Sequence, residues 1–234
     1  MSLPRTVEPE WLDALPAHNP RALRSRRDLR RVNTVMLQNG LMARALLRHH
    51  RAPPRTLLDL GSGDGTFMLG VARRLARRWP DVTVTLLDQK DIVTPQTLDG
   101  FRALGWAARP VTADLSEFFA HAAPFDIITA NLVLHHFANP PLGRLLAQAA
   151  RRSNLFVACE PRRGRFALLG SRMLWAIGCN DVTRHDAATS VHAGFAGKEL
   201  SALWPAHEPW TLREGAAGLF SHRFVAKRQA GRAA

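Results

Sequence analysis

An apolar stretch, Thr56 to Leu60, runs directly into glycines at positions 61, 63 and 65 and then into an amphipathic segment. The stretch is short, largely aliphatic and preceded by Pro53-Pro54, a pattern that predicts a buried strand. Glycine admits backbone angles closed to other residues and lets a ligand come close to the main chain. Beyond the turn, Phe67, Val71, Leu75 and Trp79 recur at four-residue spacing. Arg73, Arg74, Arg77 and Arg78 then face away, which predicts a helix lying on a sheet. Strand, glycine turn and helix are the opening unit of a nucleotide-binding α/β domain.

The glycine spacing narrows the ligand. Thr66 stands where a dinucleotide fingerprint needs its last glycine, and no Lys-Ser/Thr pair follows to make a P-loop. Asp59 and Asp64 flank the turn, where they would repel a pyrophosphate and suit a cationic ligand. The stretch resembles motif I of the class I S-adenosylmethionine-dependent methyltransferases, whose cofactor carries an ammonium and a sulfonium. The resemblance implies that Asp59, Gly61, Ser62, Gly63, Asp64 and Gly65 bind that cofactor. A tight turn without a ligand is the alternative.

The following segments extend the resemblance. Val82 to Asp88 alternates and ends in an acid, placing Asp88 at the tip of a second strand. A carboxylate there can accept both ribose hydroxyls of a nucleoside, as the acidic residue of motif II does; capping the next helix is its other use. Gln89 is counted beside it. After a third strand near 107–111, Thr112-Ala113-Asp114-Leu115 resembles the family segment that holds adenine. There Asp114 would accept from the exocyclic amine and a nearby backbone amide would meet a ring nitrogen, with Leu115 in the site; an N-cap at Asp114 competes. Phe125 to Phe137 resembles motif IV of the small-molecule type, with Asn131 holding the methionine part. His135 and His136 read either as general bases for a phenol or acid, or as packing and loop residues. A fifth strand, 154–161, ends in Glu160, which faces substrate or cap, or pairs with Arg162 or Arg163.

The flanks read less clearly. Residues 1–18 are a Pro-rich, partly ordered arm; Asn19-Pro20 starts a helix with Leu29, Val32, Val35 and Met36 on one face and Gly40 as its stop. A second helix is expected from Leu41 to His50. Phe166, Leu169, Met173, Trp175 and Ile177 mark an apolar helix, by default core and otherwise a lipophilic pocket wall. Residues 178–196 fit neither helix nor strand and suggest a polar lid, with His185 beside Asp186 as a further candidate base. A helix at 197–204 and strands at 210–214 and 219–227 close the chain, with the turn at 215–218.

The expected architecture is a Rossmann-like, seven-stranded, mostly parallel sheet with helices on both faces. Residues 1–50 form an arm and helical cap, 51–228 the methyltransferase domain, and 229–234 a loose tail. Composition decides the setting. Cys159 and Cys179 are too few for a disulfide framework and lack zinc spacing, so no metal is expected. No apolar run approaches the ~20 residues of a membrane span and no secretory pattern opens the chain, which suggests the cytoplasm. The net charge of +13 invites a nucleic-acid partner. Almost all of it is scattered arginine, with three lysines and no tyrosine, which argues for a solvated basic surface instead. The expected activity is methyl transfer from S-adenosylmethionine, leaving S-adenosylhomocysteine, to a small lipophilic or aromatic acceptor, on oxygen. An RNA or protein methyltransferase, or a cofactor-binding module without catalysis, is the alternative.

Overall fold

The computed structural model describes residues 3–16, 18–205 and 209–229. Its strands are β1 (Thr56–Leu60), β2 (Thr83–Asp88), β3 (Ala107–Thr112), β4 (Phe125–Asn131), β5 (Ser153–Pro161), β6 (Trp210–Ala217) and β7 (Ser221–Arg228). They form one seven-stranded sheet ordered β3-β2-β1-β4-β5-β7-β6, parallel except for β7, which runs antiparallel to both β5 and β6. The leading helices are α1 (Trp11–Ala14), α2 (Pro20–Val35) and α3 (Gln38–His49). Then come α4 (Thr66–Leu75), α5 (Pro95–Arg102), α6 (Leu115–His121), α7 (Asn139–Arg152), α8 (Arg165–Arg172), α9 (Asp181–Ala193) and α10 (Glu199–Leu203).

Strands covered on both faces read as nearly continuous apolar runs, because both sets of alternating side chains are buried. In β1, Leu57 joins a layer with Met42, Leu46, Val71, Leu75 and Phe101 of α3, α4 and α5. Leu58 and Leu60 point the other way, toward Phe119, Leu142, Leu146 and Leu200 of α6, α7 and α10. Strand order reverses between β1 and its two neighbours, β2 and β4, so the strand ends part there and leave a crevice.

Several expectations are corrected. Gly40 does not stop a helix; it lies inside α3, on the side facing Arg74 of α4. The break falls at Leu37, which is left-handed at φ 55°, after Val32, Thr34 and Val35, whose branched side chains weaken a helix end. α4 ends at Leu75, and Trp79 is buried beyond it. The 178–196 stretch is mostly the helix α9, capped by Asn180, whose side chain accepts from the Thr183 backbone N–H at 2.9 Å. Its buried face includes Thr183 and Asp186, so no apolar periodicity betrays it. Phe166, Leu169, Met173, Trp175 and Ile177 are not core: all are exposed, Phe166 by 79% and Trp175 by 66%. The first closing strand runs further than expected, to Ala217, and the second starts later, at Ser221, leaving only 218–220 as the turn. Of the expected tail, 230–234 lie outside the described residues, as do Met1, Ser2, Ala17 and 206–208.

The arm is tied down rather than loose. The Arg5 guanidinium donates to the carbonyls of Ala193 (2.8 Å) and Phe137 (2.9 Å) and lies over the Phe195 ring. A four-residue helix such as α1 cannot hold itself. Asp186 of α9 accepts from the Trp11 and Leu12 backbone N–H groups at 2.9 and 3.0 Å, satisfying donors that α1 leaves open.

Candidate active site

The carboxyl ends of β1, β2, β4 and β5 open on a cavity of about 500 Å³, enclosed by the arm, α2, α8 and α9. Its floor is the glycine turn. Gly61 has φ 62°, and a Cβ there would meet the Val133 side chain at 2.5 Å, so the turn and the β4 loop pack too closely for any side chain. Gly63 has φ 55°, but a Cβ on it would meet nothing within 4 Å; it faces open space in the cavity. Gly65 sits outside the cavity as the left-handed N-cap of α4, against Leu86 and Thr97.

The acids differ from one another. Asp88 accepts from the backbone N–H groups of Gly63 (2.8 Å) and Lys90 (2.9 Å), which fixes the carboxylate while leaving a lone pair on each oxygen. Asp59 is buried and, among the described residues, accepts only from the Thr129 hydroxyl, at 2.8 Å. Burial, with a further push from the Asp88 charge, raises its carboxyl to about 7 against the pull of the Thr129 bond. Asp64 accepts from the Thr66 backbone N–H at 3.0 Å and pairs with Arg30 of α2 at 3.4 Å. Part of the anionic turn is thus neutralised by the cap. Ser62 Oγ and Asn131 Oδ1 line the cavity, are buried and have no hydrogen-bond partner among the described residues. Buried polar atoms without partners are costly, so these two await a ligand or water. Leu132, next to Asn131, is held at φ 56°, a strained conformation of the kind that gathers at binding loops.

Besides Gly65, four of the named residues do not line this cavity. Asp114 caps α6, accepting from the Ser116 backbone N–H at 2.7 Å, and Gln89 donates to its other oxygen at 3.3 Å. Leu115 is buried in the core. His185 stacks on Trp11 at 3.8 Å between ring centroids and holds Asp186 through Nδ1 at 3.0 Å.

The two histidines after β4 are unlike each other. His135 is buried between carboxylates, with Nδ1 2.8 Å from Glu160 and Nε2 3.3 Å from Glu10. Burial alone would lower its pKa, but the bonds and charges of Glu10 and Glu160 win and push it up to about 9. It is therefore an imidazolium with both nitrogens engaged. Glu160 also accepts from the Val133 (3.1 Å) and Leu134 (3.0 Å) backbone N–H groups. It thus holds the histidine turn, and its expected partners Arg162 and Arg163 are elsewhere; Arg163 pairs with Glu199. His136 is partly exposed to the cavity, with Nδ1 3.5 Å from Asp13. Burial and the positive His135 ring lower its pKa, keeping it neutral near pH 7.

Glu10 and Asp13 were not foreseen, because the arm carries no periodicity or motif to single them out. Nor was Lys90, whose ammonium donates to the Leu12 and Asp13 carbonyls at 3.2 and 3.1 Å. Glu10, His135 and His136 present ligand atoms within 4.8 Å of one another. The protonated His135 ring offsets one of the two carboxylate charges beside it.

Residues 57–154 match the sequence profile of the methyltransferase domain family. These residues are a class I methyltransferase domain. The enzyme's methyl donor is S-adenosylmethionine. The fold is that of the plantazolicin methyltransferase BpumL in complex with SAH, at a TM-score of 0.64 and 15% identity over 91% of this chain and 92% of that one. The plantazolicin methyltransferase BamL, in complex with a triazolic desmethylPZN analog and SAH, is alike at 0.66 and 14%, over 91% and 92%. An O-methyltransferase family protein from Burkholderia thailandensis aligns at 0.57 and 18%, over 92% of this chain and 62% of that one. No curated protein matches the chain by sequence. The methyltransferase floor fits its donor: Gly63 leaves open space against the backbone, and Ser62 Oγ and Asn131 Oδ1 offer unused polar atoms.

Proposed function

We propose that this enzyme methylates an oxygen of a small, lipophilic, aromatic acceptor held between the histidine turn, the C-terminal end of α2, and α8. The observation that carries the reading is His136. It is a neutral imidazole at the wall of a chamber whose far side is apolar, lined by Leu29, Val32, Met36, Leu174 and Ile177. We assign Asp88 to the ribose hydroxyls, and Ser62, Gly63 and Asn131 to the donor's polar groups. Asp59 would face its cationic end, where a nearby cation would lower the raised carboxyl pKa. When bound, S-adenosylmethionine supplies an electrophilic methyl and leaves as a neutral thioether. The chain then has little covalent work to do, and its contribution is alignment and exclusion of water. Asp13, 3.5 Å from Nδ1, favours a hydrogen there and leaves Nε2 to take the acceptor's hydroxyl proton. His135 holds the turn and supplies the positive charge that keeps its neighbour neutral.

The test is turnover of a panel of phenols with radiolabelled donor, beside calorimetry of donor binding. His136→Ala is expected to lower turnover about 10²–10⁴-fold, the usual worth of a general base, with donor affinity unchanged. Full activity in that variant removes His136 from the reaction. Labelling of RNA or protein but of no phenol overturns the acceptor class.

A further inference from the structure

Most of the large apolar side chains that the fold leaves uncovered lie on two elements that also line the cavity. α8 and the 3-10 turn that follows it, Met173–Ile177, expose Phe166, Leu169, Met173, Trp175 and Ile177. Across the opening, the end of α2 exposes Val35 and Leu37, each by 64%. Val35, Met173 and Ile177 also line the cavity, so the exposed apolar rim and the chamber wall are one continuous surface. A monomer rarely leaves so contiguous a patch without a use for it.

The charge around this rim is one-sided. Residues 161–180 contain no acid, and 14–27 contain none either. Arg24, Arg27, Arg162, Arg165 and Arg172 are exposed and have no carboxylate partner among the described residues. The acids that do face the two elements are already paired. Asp28 is buried beside Arg31, Asp181 holds Arg21, and Asp64 holds Arg30. Large apolar side chains interleaved with unpaired arginine on a short amphipathic helix are the pattern of a surface that lies in the headgroup layer of a bilayer. A nucleic-acid groove would offer the arginines but has no use for bulky aliphatic side chains around them.

We infer that the rim formed by α8, its 3-10 turn and the end of α2 docks reversibly on an anionic lipid bilayer, with the cavity mouth facing the lipid. The docking surface stands apart from the methyl-transfer reading. Only its corollary, that the acceptor enters from the bilayer, rests on that reading.

The experiment is co-sedimentation of the full chain with vesicles of phosphatidylcholine alone and of phosphatidylcholine mixed equally with phosphatidylglycerol. Binding is expected to the mixed vesicles, weakening as salt rises. Phe166→Ser with Trp175→Ser is expected to reduce it roughly tenfold, since both contribute exposed apolar area to the contact. Both side chains are exposed, so the variant should keep its fold, which donor calorimetry checks independently. Equal binding to both vesicle types, no binding to either, or unchanged binding by the double variant overturns the inference. Arginine-dependent binding to a single-stranded RNA that the double variant retains, with no vesicle binding, assigns the surface to nucleic acid and overturns it too. Loss of donor binding in the wild-type chain with vesicle binding intact would instead sink the cofactor assignments and leave the surface standing.

Discussion

The floor of the cavity and its roof are built on opposite principles. The floor, from β1 through the glycine turn to α4 and across to Asp88, is made by neighbours in sequence and by parallel strand pairing. The roof is made of polar contacts between residues far apart in the chain. Asp28 accepts from the Asn180 backbone N–H at 2.8 Å, Asp186 holds Trp11 and Leu12, and Arg163 donates to the Leu3 carbonyl at 2.7 Å. A floor dominated by apolar burial tolerates substitution by volume, whereas buried polar contacts fail when one partner goes, because the other is stranded. The difference teaches where this enzyme is rigid and where it is conditional.

Glu160 lies where the two regimes meet, and breaking it should have the largest effect. It is fully buried at the end of β5 and holds both the turn's backbone donors and the His135 ring. Glu160→Ala is expected to cost on the order of 3–5 kcal/mol, the usual result of stranding one half of a buried charge pair. Denaturant unfolding measures it, and a loss under about 1 kcal/mol would show the histidine turn stands without it.

His135 sharpens the contrast through pH. Its pKa is raised from 6.5 to about 9 in the fold, so the native state holds a proton that the unfolded chain gives up. The resulting stability is fully present below about pH 6.5 and is lost as pH climbs through about 9, up to roughly 3 kcal/mol in all. Melting followed between those values should fall for the wild type and stay flatter for His135→Gln. Parallel curves would mean that the carboxylate sandwich does not hold the proton.

Asp88 tests the floor by itself. Asp88→Ala is expected to weaken donor binding by about 1–3 kcal/mol, the scale of hydrogen bonds to a charged group. Its stability should change less than that of the Glu160 variant. Unchanged affinity in calorimetry would refute its placement at the ribose.

The smallest effect belongs to a single tie in the roof. Asp186→Asn keeps the size and one acceptor oxygen but frees one of the two α1 donors, at about 1 kcal/mol. Proteolysis of the arm should quicken while the sheet resists as before; equal resistance would show that α1 does not depend on α9.

The sequence by itself determined the sheet, its glycine turn and the acids at the strand tips. Those features are carried by patterns of a few residues: alternation, aliphatic runs and glycine where the backbone must turn left-handed. Only the tertiary structure decided that α9 is a helix, that the apolar face of α8 looks outward, and that Glu10 closes on His135. It also decided that the pKa values of the two adjacent histidines move in opposite directions. Each of these rests on partners met across the fold, and a pKa or an exposure belongs to the surroundings of a side chain rather than to its name.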